Sequence, residues 1–120
     1  MSRQETDKTK RILGLLGLCR RAGKVVMGTS LSCLAMAAKT PPALAVVSKE
    51  ASSNTRKRMT TKSEYYGIPL LVLEASPSEI GAALGKQSEI AAVAVMDANI
   101  AKELIRIDST GKEPPVCKED

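Results

Sequence analysis

The chain contains no histidine, no tryptophan and no phenylalanine. Without imidazole it lacks the usual general base, the commonest metal ligand and the partner on which a serine or cysteine nucleophile relies, so no catalytic residue, metal site or cofactor is expected. The aromatic complement is two tyrosines, which argues against a platform for stacking unpaired bases and leaves Leu, Ile, Val, Ala and Met to build the core. The three cysteines, Cys19, Cys33 and Cys117, make no close pair, so neither a disulfide framework nor a zinc knuckle is indicated. Cys19 and Cys33 stand in apolar helical surroundings and read as small core residues. Long apolar runs are missing as well. Neither a signal peptide nor a membrane span is therefore expected, and the protein is expected to be soluble and cytoplasmic. Two nucleotide motifs are also absent: Gly23 and Gly28 have phosphate-loop spacing, but Thr29 stands where the lysine is required, and no Gly-x-Gly-x-x-Gly occurs.

What the sequence does contain is enough for one domain with its own core, since 43% of the 120 residues are hydrophobic. Its charge is unevenly placed. Residues 1–7 hold one base and two acids and residues 107–120 hold two bases and four acids, which leaves 15 bases and 7 acids, a net +8, on residues 8–106. A basic body with an acidic tail points to a polyanionic partner, nucleic acid first.

The pattern centres on Arg20 to Leu31, where a basic helix end leads through Gly23 into the apolar run Val25, Val26 and Met27 and then through Gly28 into a new helix. Gly23 suits a left-handed helix stop, Gly28 a tight turn, and Thr29 or Ser30 a hydroxyl cap. The backbone N–H groups left free, a positive helix end and the hydroxyl donors, beside Arg20, Arg21 and Lys24, would face an anion.

Along the chain, residues 1–7 are polar and expected to be disordered. A first helix runs from Lys8 to Arg21 on the stripe Ile12, Leu15, Leu16 and Cys19, with Gly14 and Gly17 as close-packing points against a sheet. The second helix, residues 30–39, carries the stripe Leu31, Leu34, Ala35 and Ala38 and stops at Pro41 and Pro42. A strand over residues 43–48 precedes a helix from Asn54 to Tyr66 bearing Arg56, Lys57, Arg58 and Lys62. Ile68 to Leu73 is the next strand, with Pro69 at its start. Ser76, Pro77 and Glu79 form a capping box that opens a short helix closed by Gly85. Ile90 to Met96 is the last strand, and Asp97 caps a final helix whose Ile100, Ala101, Leu104 and Ile105 face inward. Residues 107–120 read as a disordered tail. One helix followed by four strand–helix repeats predicts an α/β fold, an α/β/α sandwich in a single domain over residues 8–106.

Three segments then carry a family likeness: Leu15 to Gly28 (LLGLCRRAGKVVMG), Glu50 to Pro69 (EASSNTRKRMTTKSEYYGIP) and Leu84 to Asp97. In this order they resemble the bacterial YlxQ-like proteins, within the superfamily of archaeal and eukaryotic ribosomal proteins that bind kink-turn RNA. The resemblance implies a three-layer α/β/α sandwich around a four-stranded mixed sheet, binding to structured RNA, a ribosomal or ribosome-associated role and no catalysis. It places Gly28, Thr29 and Ser30 at the bent RNA backbone and its G·A pairs, Ile90 and Ala91 beside a flipped-out base, and Lys24 at the start of the first strand. Where strong RNA binders of the superfamily carry Asn, Glu and Lys at the second helix, this chain has Ser30, Leu31 and Leu34. Periodicity puts Leu31 and Leu34 in the core, and the resemblance puts them at the RNA surface. Arg20, Arg21, Lys24, Arg56 and Lys57 are the expected phosphate contacts. The expected partners are ribosomal or regulatory RNA, with the ribosome or a translation-related protein beside it, no membrane, and a monomeric state. A protein-interaction module without a specific RNA target is the reading from a different class, because exposed leucines would suit it.

Overall fold

The computed structural model describes residues 3–109, with side chains described from Lys8 to Asp108. The order is α1 (Arg3–Arg21), β1 (Val25–Met27), α2 (Thr29–Met36), β2 (Leu44–Ser48), α3 (Ser53–Tyr66), β3 (Leu70–Leu73), α4 (Pro77–Ala83), β4 (Ala92–Val95) and α5 (Ala98–Ser109). The helix–strand alternation is as expected and the boundaries shift. Helix α1 begins at Arg3, ahead of the expected Lys8. The segment 110–120 lies outside the described residues.

The four strands form one mixed sheet in the order β1-β4-β2-β3. Strands β1 and β2 each pair antiparallel with β4, and β2 pairs parallel with β3. Hence β1, β2 and β3 all point the same way, and β4 enters between them from the edge where they end. All five residues of β2 are buried, because helices cover both faces. On one face α1, α4 and α5 supply Ile12, Leu16, Ile80, Leu84 and Leu104 against Val46, Val93 and Val95. On the other, Cys33 and Met36 of α2 and Met59 of α3 meet Ala45, Val47 and Ala92, where small sheet residues let the helices come close. Each Leu or Ile fully buried in these layers contributes about 1.5–3 kcal/mol.

Several elements differ from the periodic reading. The stripe Leu31, Leu34, Ala35 and Ala38 is not the buried face of α2; Ser32, Cys33 and Met36 are, and Leu31 and Leu34 are 56% and 67% exposed. Helix α2 is apolar on nearly every side, so two stripes were available, and the buried one also lets the Ser32 hydroxyl donate to the Val26 carbonyl at 3.5 Å. It ends at Met36, short of the expected residue 39. Helix α3 is capped one turn position earlier, by Ser52, which accepts from the Thr55 N–H at 3.2 Å. Strand β3 starts at Leu70 because the Ile68 N–H is held at 2.8 Å by the Ser63 carbonyl at the end of α3. In α5 Ile105 is 40% exposed and Ile107 is buried at 2%, so the domain runs past the boundary expected at residue 106. Gly17 packs against α4 and not the sheet: a Cβ there would meet the Ala83 carbonyl oxygen at 2.9 Å, while Gly14 has open space. Cys19 and Cys33 are buried as expected, with the Cys19 thiol donating to the Lys24 carbonyl at 3.1 Å.

Candidate nucleic-acid interface

Three helices, α2, α3 and α4, start at the edge where β1, β2 and β3 end. Their N-termini expose orphan N–H donors at the positive end of each dipole, unless something local satisfies them. Helix α4 is closed by its own capping box: Ser76 Oγ accepts from the Glu79 N–H at 3.1 Å, and the Ser76 N–H donates to the Glu79 carboxylate at 2.8 Å. Helix α3 has the Ser52 hydroxyl and no acid in its first turn. Helix α2 has neither an acid nor a side-chain cap. Its N-cap is Gly28 itself, at φ 100° and ψ 149°, a conformation essentially confined to glycine, so the expected caps Thr29 and Ser30 lie inside the first turn with their hydroxyls uncommitted to capping. The open anion-facing terminus is therefore that of α2.

The entry to β4 joins the termini of α2 and α3 into one corner. The Gly28 N–H donates to the Ala92 carbonyl and the Ser48 N–H to the Ala91 carbonyl, both at 2.8 Å. Ala91 thus sits between the ends of β1 and β2, and two strand spacings put Gly28 and Ser48 about 10 Å apart. Ser48 is buried, and its hydroxyl donates to the Ala75 carbonyl at 2.6 Å and accepts from the Glu50 N–H at 3.0 Å, which pins the loop leading into α3. From α3, Arg56 donates to the Lys49 carbonyl at 3.2 Å, bringing its guanidinium back over that loop.

The expected site residues divide accordingly. Gly28, Thr29, Ser30, Ala91 and Arg56 converge on the corner, Lys57 stands beside Arg56 on the exposed side of α3, and Leu31 and Leu34 border it on the outer face of α2. Ile90 does not face outward: it is 7% exposed, packs in the core with Ile80 and Leu84, and its N–H donates to the Pro77 carbonyl at 3.0 Å. Strand β4 accordingly starts at Ala92 instead of Ile90. Arg20, Arg21 and Lys24 are exposed but stand at the opposite end of β1, where the Lys24 carbonyl accepts from the Met96 N–H at 2.7 Å, about 13 Å of strand from Gly28. Lys49 and Ser48 were missed in the sequence; the polar step after the apolar run Leu44–Val47 is the signal that marks them.

The chemistry available at the corner is anion binding. Among the described residues no group of three or more His, Cys, Asp or Glu side chains could hold a metal, and no helix is long and apolar enough to cross a membrane. The perturbed titrations lie elsewhere: burial, with Asp97 nearby, raises the Cys19 thiol, and the hydrogen bond from Arg106 lowers Glu103.

An α/β/α sandwich of five helices on a four-stranded mixed sheet places the chain in a class of small single-domain α/β folds with solved members. It superposes on a protein of unknown function from Bacillus halodurans C with a TM-score of 0.75 at 28% identity, covering 82% of this chain and 96% of that one. It matches the fold of the Giardia lamblia 15.5kD RNA binding protein at TM-score 0.71 and 11% identity, over 91% of this chain and 88% of that one. No family model matches the chain. In sequence it is 38% identical over 93 residues to the RNA-binding protein YlxQ of Bacillus subtilis (strain 168), covering 78% of this chain and 90% of the relative. It is 32% identical over 94 residues to the protein of the same name from Enterococcus faecium, covering 78% and 87%. The chain belongs to the YlxQ family.

Proposed function

We propose that the protein binds structured RNA of the kink-turn kind at the corner formed by α2, α3 and the entry to β4, and that it catalyses no reaction. The observation that carries this reading is the uncapped N-terminus of α2 behind Gly28, at the same sheet edge as Arg56 and Lys57. A sharply bent backbone brings phosphates close together, and such a cluster fits two adjacent helix N-termini better than a straight duplex does. Thr29 and Ser30 supply hydroxyl and backbone donors, Ala91 leaves room for an unpaired base, and Ile90 holds Ala91 from beneath. Arg20, Arg21 and Lys24, at the far end of β1, meet the phosphates of a longer RNA arm. Both relatives named above are RNA-binding proteins by name, which supports the partner class. The ribosome is the proposed setting and a monomer the proposed working form.

The second reading is a protein-interaction module, favoured by the exposure of Leu31 and Leu34 on a stretch with no charge from Val25 to Ala38. Titration of a model kink-turn hairpin against its straight-duplex counterpart, at several salt concentrations, tests the first reading. Preference for the bent RNA that weakens steeply with salt is expected. Absence of binding even at low salt overturns it, and sequencing of RNA crosslinked to the protein in cells identifies the target.

A further inference from the structure

Beyond the corner, α3 and β3 enclose an open groove of about 720 Å³ on the same face of the sheet. Its apolar floor is Val72, 50% exposed on an edge strand, with Val47 buried beside it. Its α3 wall carries Arg56, Lys57 and Thr60. Lys49 closes the end nearest the corner, ion-paired to Glu74 at 3.3 Å. Arg56 spends one guanidinium nitrogen on the Lys49 carbonyl and Lys57 has no ion pair among the described residues, so both keep donors for a ligand.

We infer that this groove takes a single-stranded RNA segment leaving the kink-turn, with its phosphates on Arg56 and Lys57 and its sugars over Val72. The inference rests on the RNA reading above and names what lies next to its site. Three features favour this occupant. The lining holds three cations and one carboxylate; Lys49 and Glu74 neutralise each other, and Arg56 and Lys57 leave a surplus of two positive charges that complements a polyanion. The hydroxyls of Ser53, Thr60 and Thr61 and an aliphatic floor suit a strand held through its sugars and phosphates, with no reading of base identity. Finally, Arg56 belongs to both places: its guanidinium lies over the Lys49 loop at the corner and lines the groove, so one strand can meet it in passing from the one to the other.

The test uses the full chain, a model kink-turn hairpin, and the same hairpin with an unpaired uridine extension of about eight nucleotides on either strand, a length within the range single-stranded sites cover. On the wild type one of the two extensions should tighten binding about tenfold through added phosphate contacts. Val72→Glu should abolish that gain and leave the bare hairpin's Kd unchanged, whereas Val72→Lys should keep or enlarge it. Thr60→Glu, on the exposed wall of α3, repeats the charge test should the sheet variant melt early. If the bare hairpin binds but neither extension adds affinity, the groove inference falls and the corner stands. If the bare hairpin does not bind at all, both fall. A gain that survives Val72→Glu and Thr60→Glu overturns the groove. So does specific binding of an alternating valine–glutamate peptide, lost in Val72→Glu, with no gain from either extension, since the free edge of β3 would then be a peptide site.

Discussion

Replacing Leu34 by lysine separates the RNA surface from the core at one position. Leu34 is 67% exposed, so about a third of its side chain leaves water on folding. At about 1.5–3 kcal/mol for full burial, that third is worth about 0.5–1 kcal/mol, and the methylene stem of a lysine recovers part of it. The variant should therefore fold with nearly unchanged stability, whereas a buried ammonium in the core would cost several kcal/mol. Leu34 lies one turn beyond Ser30 on the same side of α2, so the new ammonium reaches toward the open helix terminus.

A charge-assisted phosphate contact there should strengthen kink-turn binding by about 1 kcal/mol, roughly fivefold, and steepen the log–log salt dependence by about 0.9. Ser30→Asn should separately sharpen discrimination among base pairs, because an amide offers both donor and acceptor where the hydroxyl has less reach. Thermal melts and hairpin titrations at several salt concentrations measure all of this. A variant that melts like the wild type but shows neither tighter binding nor a steeper slope refutes the placement of RNA along α2. If it also loses a protein partner, the interaction module takes precedence.

For the wild type, about five phosphate contacts should give a log–log salt slope of about −4, and Arg56→Ala should make it shallower by about 0.9. Gly81→Ala would drive a Cβ into the Ser88 carbonyl oxygen, so it should lower stability by about 1–3 kcal/mol, push the loop before β4 off α4 and weaken RNA binding; an unchanged melt would contradict the packing. Removing residues 110–120 should leave the melting temperature unchanged, whereas Ile107→Ala, within the core, should cost about 2–5 kcal/mol. The raised Cys19 thiol means that the native state favours the protonated form: its stabilising effect is complete below the unfolded-state thiol range and is lost as pH rises through the higher native value. Urea titrations across that alkaline range should show stability falling, and Cys19→Ala should flatten the fall.

What the sequence made legible was local chemistry with a single solution. The capping box at Ser76 and Glu79 and the cap of α5, where Asp97 accepts from the Ile100 N–H at 3.0 Å, need only spacing and residue type. Gly23 likewise ends α1 at φ 73°, with the Lys24 N–H returning to the Cys19 carbonyl. Choices among equivalent faces were not legible. In α2, Leu31 and Leu34 made a better stripe than Ser32, Cys33 and Met36 by hydrophobicity, and the small sheet residues Ala45 and Ala92 that favour the second stripe are distant in sequence. The grouping of the candidate site residues was half legible for the same reason. Arg20, Arg21 and Lys24 precede Gly28 closely in sequence, yet a strand runs between them, and an extended strand separates what a turn would gather.

The direction of that strand also explains why the corner is where it is. Strands β1, β2 and β3 run the same way, so the helices that follow them all begin at one edge, the side on which open α/β sheets bind their ligands. Three termini at one edge would compete equally for an anion, but Glu79 occupies that of α4 with a carboxylate of the chain itself. The reversed strand β4 then joins the other two, because it enters at this edge and lays Ala91 between the ends of β1 and β2. A ligand seated there touches α2 and α3 together. On the RNA reading proposed above, a small side chain at Ala91 would serve the corner as much as the glycine at Gly28: the one would leave the space, and the other turns the open helix terminus to face it.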